Sequence, residues 1–195
     1  MGVHNTTHVC LKPVAVFEKH NVPYALLHTT NLYPTPNHLV RLGAMVELQN
    51  NFPGAVVGLS DHTLSNHACF GAVALGASIL ERHFTDSMSR PGPDIICSMD
   101  KQACKELIEG SKIIAQQRGG VKGPAIEEQV TIDFAFATIC TIKPIAKGEI
   151  FTKENIWVKR PGKGGIAAEE YNNVLGKTAA TDIDIDMQVS AQDIQ

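Results

Sequence analysis

The chain has 195 residues, with 17 basic and 20 acidic side chains, a formal net charge of −3 and 44% apolar residues. That length admits one medium domain and a small one, and without a basic block it excludes the electrostatic footprint of a nucleic-acid binder. No apolar stretch approaches the ~18 residues of a membrane span, and the polar start, Met1 to Cys10, has no apolar signal-peptide core, so no membrane partner is expected.

Residues 11–20 carry Leu11, Val14 and Phe17 at helical spacing and stop before Asn21-Val22-Pro23. Tyr24 to His28 reads as a buried strand, and the prolines in Asn31 to Pro36 mark a loop. Asn37 is placed to cap a helix over 38–51, which Phe52-Pro53-Gly54 ends. Ala55 to Ser60 is a second strand, followed at once by Asp61-His62. Asn66 to Gly76 reads as a helix, and Ala77 to Leu80 as a third strand, followed by Glu81-Arg82-His83. Thr85 to Ile96 is a long loop. Ser98 is the expected N-cap of a helix over about residues 100–118, closed by Arg118-Gly119-Gly120.

Strands alternating with helices at this spacing define an α/β fold of parallel strands joined by right-handed crossovers. Three strands do not close a barrel of eight, so the expected architecture is the C-terminal part of a (β/α)8 TIM barrel whose front strands are missing. After Gly120 the composition changes. Residues 1–120 are taken as the partial barrel domain, 121–133 as a polar linker, and 134–195 as a compact β-rich domain. Its short β-type runs are Ala137 to Ile142, Ile156 to Arg160 and Asp182 to Ile194. The glycines of Gly162-Lys163-Gly164-Gly165 follow no phosphate-loop pattern and read as a flexible turn. Five scattered cysteines without a CxxC pair read as reduced thiols in a cytoplasmic protein.

His62 and His83 each follow an apolar run that ends a predicted parallel strand. They therefore project from the carboxyl ends of neighbouring strands, where α/β folds place their chemistry. Two neutral imidazoles with water suit a divalent ion such as Mn²⁺ or Zn²⁺.

Five segments resemble one family. Leu27 to Pro36, Gly58-Leu59-Ser60-Asp61-His62-Thr63, Glu81-Arg82-His83-Phe84-Thr85, Arg90-Pro91-Gly92-Pro93-Asp94 and Trp157-Val158-Lys159-Arg160-Pro161-Gly162 closely resemble the sialic acid synthases. The tail resembles that family's antifreeze-like (SAF) β-clip module. The resemblance runs in order along nearly the whole chain, yet only the second half of a typical member is present.

The resemblance implies an N-acetylneuraminate synthase-type transferase. Such an enzyme condenses phosphoenolpyruvate with N-acetylmannosamine or a related amino sugar and releases phosphate. It implies His62 and His83 as ligands of a divalent metal, Mn²⁺ foremost and Mg²⁺ or Co²⁺ as alternatives, and Glu81 as a catalytic group hydrogen-bonded to a metal-bound water. Asn31 and Ser60 resemble residues that hold phosphoenolpyruvate, and Tyr33 and Asp94 resemble sugar contacts. Arg160, with Phe134 on the same side, would meet the N-acetyl group of the sugar across a domain-swapped homodimer. His28 is expected to orient the neighbouring loop and Arg82 to form an ion pair.

An open piece of barrel exposes sheet edges and apolar faces, so self-association is expected, and little synthase activity from the isolated chain. The alternative is a non-catalytic binding or assembly partner of a full-length synthase. An aldolase of different chemistry on a similar barrel is a third reading, and the arginine-bearing tail speaks against it.

Overall fold

The computed structural model describes residues 6–195; Met1 to Asn5, the first half of the polar start, lie outside them. The chain divides into two compact units, Met1–Gly120 and Val121–Gln195.

In the first unit α1 (Thr7–Lys19), β1 (Ala25–Thr29), α2 (Leu42–Asn51), β2 (Val56–Asp61), α3 (His67–Ala74), β3 (Ile79–Arg82) and α4 (Lys101–Gln117) follow one another. The strands form a three-stranded parallel sheet in the order β1-β2-β3. This is the α/β alternation expected, as an open sheet. Side chains alternate across it with period two. One face sends Leu26, His28, Val57, Leu59, Asp61 and Arg82 into the interior. There the apolar members pack with Val14, Met45, Leu48, Cys69, Ala72 and Leu107 from the helices. The other face carries Val56, Ser60, Ile79 and Glu81, and of these Val56, Ile79 and Glu81 are exposed.

Gly58 is needed where β2 approaches β3. A Cβ at this position would stand 2.2 Å from the Ile79 carbonyl oxygen, a backbone atom that cannot move aside without parting the strands.

α1 begins at Thr7, ahead of the helical spacing read from residue 11, and two other helix starts also differ from expectation. Asn37 opens only a 3₁₀ turn, Asn37–Leu39, and α2 begins at Leu42 after Arg41 in the left-handed region (φ 50°). The reason lies in β1 and the residue after it. Thr30 Oγ1 donates to the Leu39 carbonyl (2.8 Å) and His28 Nε2 to the Val40 carbonyl (2.8 Å). These are acceptors that a helix starting at residue 38 would use itself. Likewise Ser98 does not cap α4. Its hydroxyl donates to the Asp94 carbonyl (2.8 Å), and the cap is Asp100, whose Oδ1 accepts from the Ala103 amide (2.8 Å).

In the second unit, α5 (Gln129–Ala135), preceded by a 3₁₀ turn Ile126–Glu128, occupies most of the stretch expected as linker. Its polar residues stabilise it locally. Glu128 accepts from the Ala125 amide (2.6 Å), and Gln129 Nε2 donates to Asp133 Oδ1 (2.7 Å). β4 (Thr138–Thr141) and β5 (Ile156–Lys159) pair antiparallel, and α6 (Tyr171–Val174) follows. Ile139, Ile145, Phe151, Ile156, Val174 and Val189 form a separate core.

The expected β-type run over 182–194 contributes isolated bridges, Ile145↔Ile183, Cys140↔Gln188 and Ala179↔Ile194, in place of a continuous strand. The glycine-rich turn is also not a loose one. Gln188 Nε2 donates to the Lys163 carbonyl (3.1 Å), and Gly164 and Gly165 lie against the Gln188 side chain. All five cysteines are free thiols, and among the described residues no helix is long and apolar enough to cross a membrane.

Two glycines give opposite expectations. Gly58→Ala should lower unfolding stability by about 3 kcal/mol through overpacking against the Ile79 backbone. Gly43→Ala, in α2 with nothing within 4 Å of the added methyl, should raise it by roughly 0.5 kcal/mol. Urea unfolding of both variants checks the pair.

Candidate active site

β2 and β3 run in register, with Ser60 beside Glu81 and Asp61 beside Arg82. One residue further, the same alignment brings His62 and His83 together. Their ring centroids lie 5.1 Å apart, edge to face. Tyr33 completes an aromatic cluster, 4.2 Å from the His62 ring and 5.7 Å from the His83 ring. Ser60 Oγ donates to Glu81 Oε2 on the uncovered face, so the carboxylate is held beside β2.

The loop after β1 is fixed by short bonds. Thr35 Oγ1 donates to the carbonyls of Thr30 (3.0 Å) and Leu32 (2.8 Å), and the Thr35 amide donates to the His62 carbonyl (2.9 Å). This loop presents Tyr33. It also supplies the Thr30 carbonyl, 3.0 Å from His62 Nδ1. A carbonyl only accepts, so Nδ1 donates to it, and in the neutral ring this leaves the lone pair on Nε2.

His83 Nδ1 lies 3.9 Å from Asp94 Oδ2 and 4.0 Å from Cys97 Sγ. Asp94 stabilises its loop through its backbone carbonyl, which accepts from Ser98 Oγ and Cys97 Sγ, and this frees the carboxylate to face His83. Asn31 lies in the loop just past β1, with Oδ1 accepting from Thr29 Oγ1 (3.4 Å).

A buried polar network supports the strand ends from the helix side. Arg82 Nη1 donates to Asn66 Oδ1 (2.6 Å) and Nη2 to the Thr63 carbonyl (2.7 Å). Arg82 Nε lies 3.2 Å from Asp61 Oδ2 but makes no aligned hydrogen bond, so charge holds that contact. Asp61 accepts from the Thr63 amide (3.1 Å) and hydroxyl (2.9 Å). Burial pushes the neighbouring Cys69 thiol up to about 12, with the Asp61 charge adding to it, so Cys69 stays protonated at neutral pH.

The arrangement fits a divalent cation in one respect: it offers two imidazoles, one with a fixed tautomer and a free Nε2. Among the described residues no group of three or more His, Cys, Asp or Glu side chains gathers to hold a metal ion.

The structure brings His62, His83, Tyr33 and Asp94 into one cluster and sets Ser60 beside Glu81; the sequence singles out each of these residues but does not pair Ser60 with Glu81. Sequence reasoning missed Thr30 and Cys97, for which the sequence carries no signal. The Asn66–Arg82–Asp61 network was half visible, because each ionic residue directly precedes one of the histidines. Phe134 and Arg160 belong to the second unit. Phe134 is on α5 and exposed, and the Arg160 guanidinium lies over its ring, 5.8 Å from the centroid.

The sequence pattern of the NeuB family matches residues 2–123, and that of the SAF domain matches residues 138–195. The chain belongs to the NeuB family and ends in a SAF domain. It is 41% identical, over 79% of its length, to N,N'-diacetyllegionaminic acid synthase of Campylobacter jejuni, covering 46% of that protein. It is 31% identical over 90% of its length to pseudaminic acid synthase of Helicobacter pylori, covering 51% of it. The solved N-acetylneuraminic acid (sialic acid) synthetase of Leptospira borgpetersenii superposes with a TM-score of 0.62 at 28% identity, over 66% of this chain and 45% of that one. The chain spans about half the length of the curated relatives it matches.

His28 gives the site a pH dependence. Burial lowers its pKa below the ordinary 6.5, outweighing the bond to the Val40 carbonyl. The unfolded ring therefore takes up a proton that the folded ring refuses. Stability should be complete above pH 6.5 and decline as the pH falls below it. Melting curves from pH 8 to 5 check this on the roughly 2–3-unit window around an ordinary imidazole. The decline should shrink in His28→Gln, which retains a donor for Val40.

Proposed function

We propose that the protein is a nonulosonic acid synthase, condensing phosphoenolpyruvate with an N-acetylated amino sugar and releasing phosphate. The observation that carries this reading is the His62–His83 pair, 5.1 Å apart at the ends of β2 and β3, in a chain whose relatives are named as synthases of such acids. His62 and His83 would hold a divalent metal, Mn²⁺ foremost, with Mg²⁺ or Co²⁺ as alternatives. Bound there, it supplies Lewis-acid polarisation of the sugar aldehyde.

In this reading C3 of the enol pyruvate bonds to C1 of the open-chain sugar and the aldehyde oxygen takes up a proton. Water adds at C2 as phosphate leaves. Glu81, held by Ser60, orients that water and manages its proton. Asn31 supplies a neutral donor to the anionic substrate, Ser60 turns its one proton to that anion when it releases Glu81, and Tyr33 and Asp94 meet the sugar hydroxyls. Arg160, backed by Phe134, receives the N-acetyl group, in a domain-swapped homodimer in the cytoplasm.

The uncovered face of β1–β3 favours a second reading, a binding or assembly partner of a full-length synthase. Co-purification with a full-length synthase, and no turnover without it, would single that reading out.

Isothermal titration of Mn²⁺ into the metal-free protein tests the first reading. Wild-type binding should weaken by about 100-fold or more in the His62→Ala, His83→Ala double variant, beyond the usual effect of an outer-shell change. Equal binding by both proteins, or none by the wild type, would sink it. In binding titrations Arg160→Ala should weaken the affinity for the amino sugar by about tenfold while that for phosphoenolpyruvate moves less than about twofold.

A further inference from the structure

Arg82 spans five pieces of chain, one of them through the Cys97 carbonyl, 3.5 Å from its Nη2. Its guanidinium meets Asp61, the last residue of β2, and the Thr63 carbonyl in the turn after β2. It also meets Asn66, the residue before α3, while Arg82 itself ends β3. Asn66 extends the network to α4, its Nδ2 donating to the Ala103 carbonyl (2.8 Å). The side chains of Asp61 and Arg82 are each 2% exposed.

Buried ion pairs add little stability over an apolar filling of the same volume; what directs the Arg82 guanidinium is its hydrogen bonds to Asn66 and the Thr63 carbonyl. Arginine suits such a task because its planar fork holds several acceptors in fixed directions, which lysine does not. His62 and His83 are the next residues after this pair, just past the ends of β2 and β3, and their rings lie 5.1 Å apart. Whatever sets Asp61 against Arg82 therefore also sets the two histidines.

We propose that the Asp61–Arg82 pair, with Thr63 and Asn66, is a positioning clasp that fixes the separation and tilt of the His62 and His83 rings. The value of that placement rests on the reading of the two histidines as a cation-binding pair; the placement itself does not.

Arg82→Lys tests the clasp, since it keeps the charge and removes the fork. In the metal-free protein, nuclear Overhauser contacts between the His62 and His83 rings should be present in the wild type. They should be lost in the variant, while the amide protection of β2 and β3 persists. Mn²⁺ affinity, read by titration, should fall about 10- to 100-fold.

A folded variant with wild-type ring contacts overturns the proposal. Lost ring contacts in the variant, with no Mn²⁺ binding even by the wild type, would uphold the clasp and sink the metal reading alone. Should Arg82→Lys fail to fold, Asn66→Ala removes one acceptor and leaves the ion pair. Its ring contacts should weaken, and unchanged contacts there would overturn the proposal equally.

Discussion

The parallel register of β2 and β3 decides which side chains meet. Ser60 beside Glu81 puts a hydroxyl against a carboxylate on the uncovered face, and Asp61 beside Arg82 puts opposite charges together on the helix side. A slip of one residue would send every side chain of the moved strand to the other face. Glu81 would then enter the apolar interior and the histidines would part. Two features oppose the slip. Gly58 allows backbone approach only where it faces Ile79, and the ion pair closes only when Asp61 faces Arg82.

Burial separates that pair from the exposed Arg90–Asp86 pair of the first unit. Arg90 and Asp86 form a bidentate contact within the loop after β3, with side chains 60% and 65% exposed. Exposed pairs of this kind contribute about 0–1 kcal/mol. Removing one partner of a buried pair costs about 3–5 kcal/mol, because the other charge is stranded. The strand ends are thus coupled to the core in a way the 85–94 loop is not. The raised Cys69 thiol lies in the same water-poor region and has the same cause.

The strands of the first unit were legible because each is a short apolar run bounded by turn residues, and because polar residues follow each run at its carboxyl end. That was enough to single out His62 and His83, while Glu81 entered through the family resemblance. What stayed hidden depended on partners distant in sequence. The late start of α2 follows from acceptors claimed by His28 and Thr30, which are remote from Asn37. The helix Gln129–Ala135 hid in a polar stretch because its polar side chains bond to one another locally, and polarity alone reads as linker. The bridges after residue 182 are single pairings with β4 and the turns, and a β-type run does not distinguish them from a strand.

The uncovered face of the sheet changes character along its length. At the amino ends of β2 and β3 it carries Val56 and Ile79, apolar and exposed. At the carboxyl ends it carries Ser60 and Glu81, and beyond them the histidines. Apolar side chains gain from leaving water at about 25 cal/mol per Å², whereas a carboxylate buried without partners costs several kcal/mol. One sheet face is thereby divided into a part that favours being covered and a part that favours staying open to polar ligands. The boundary falls at Gly58, the residue without a side chain. Period-two alternation repeats along both strands, so this division needs no feature beyond the order of residues within each strand.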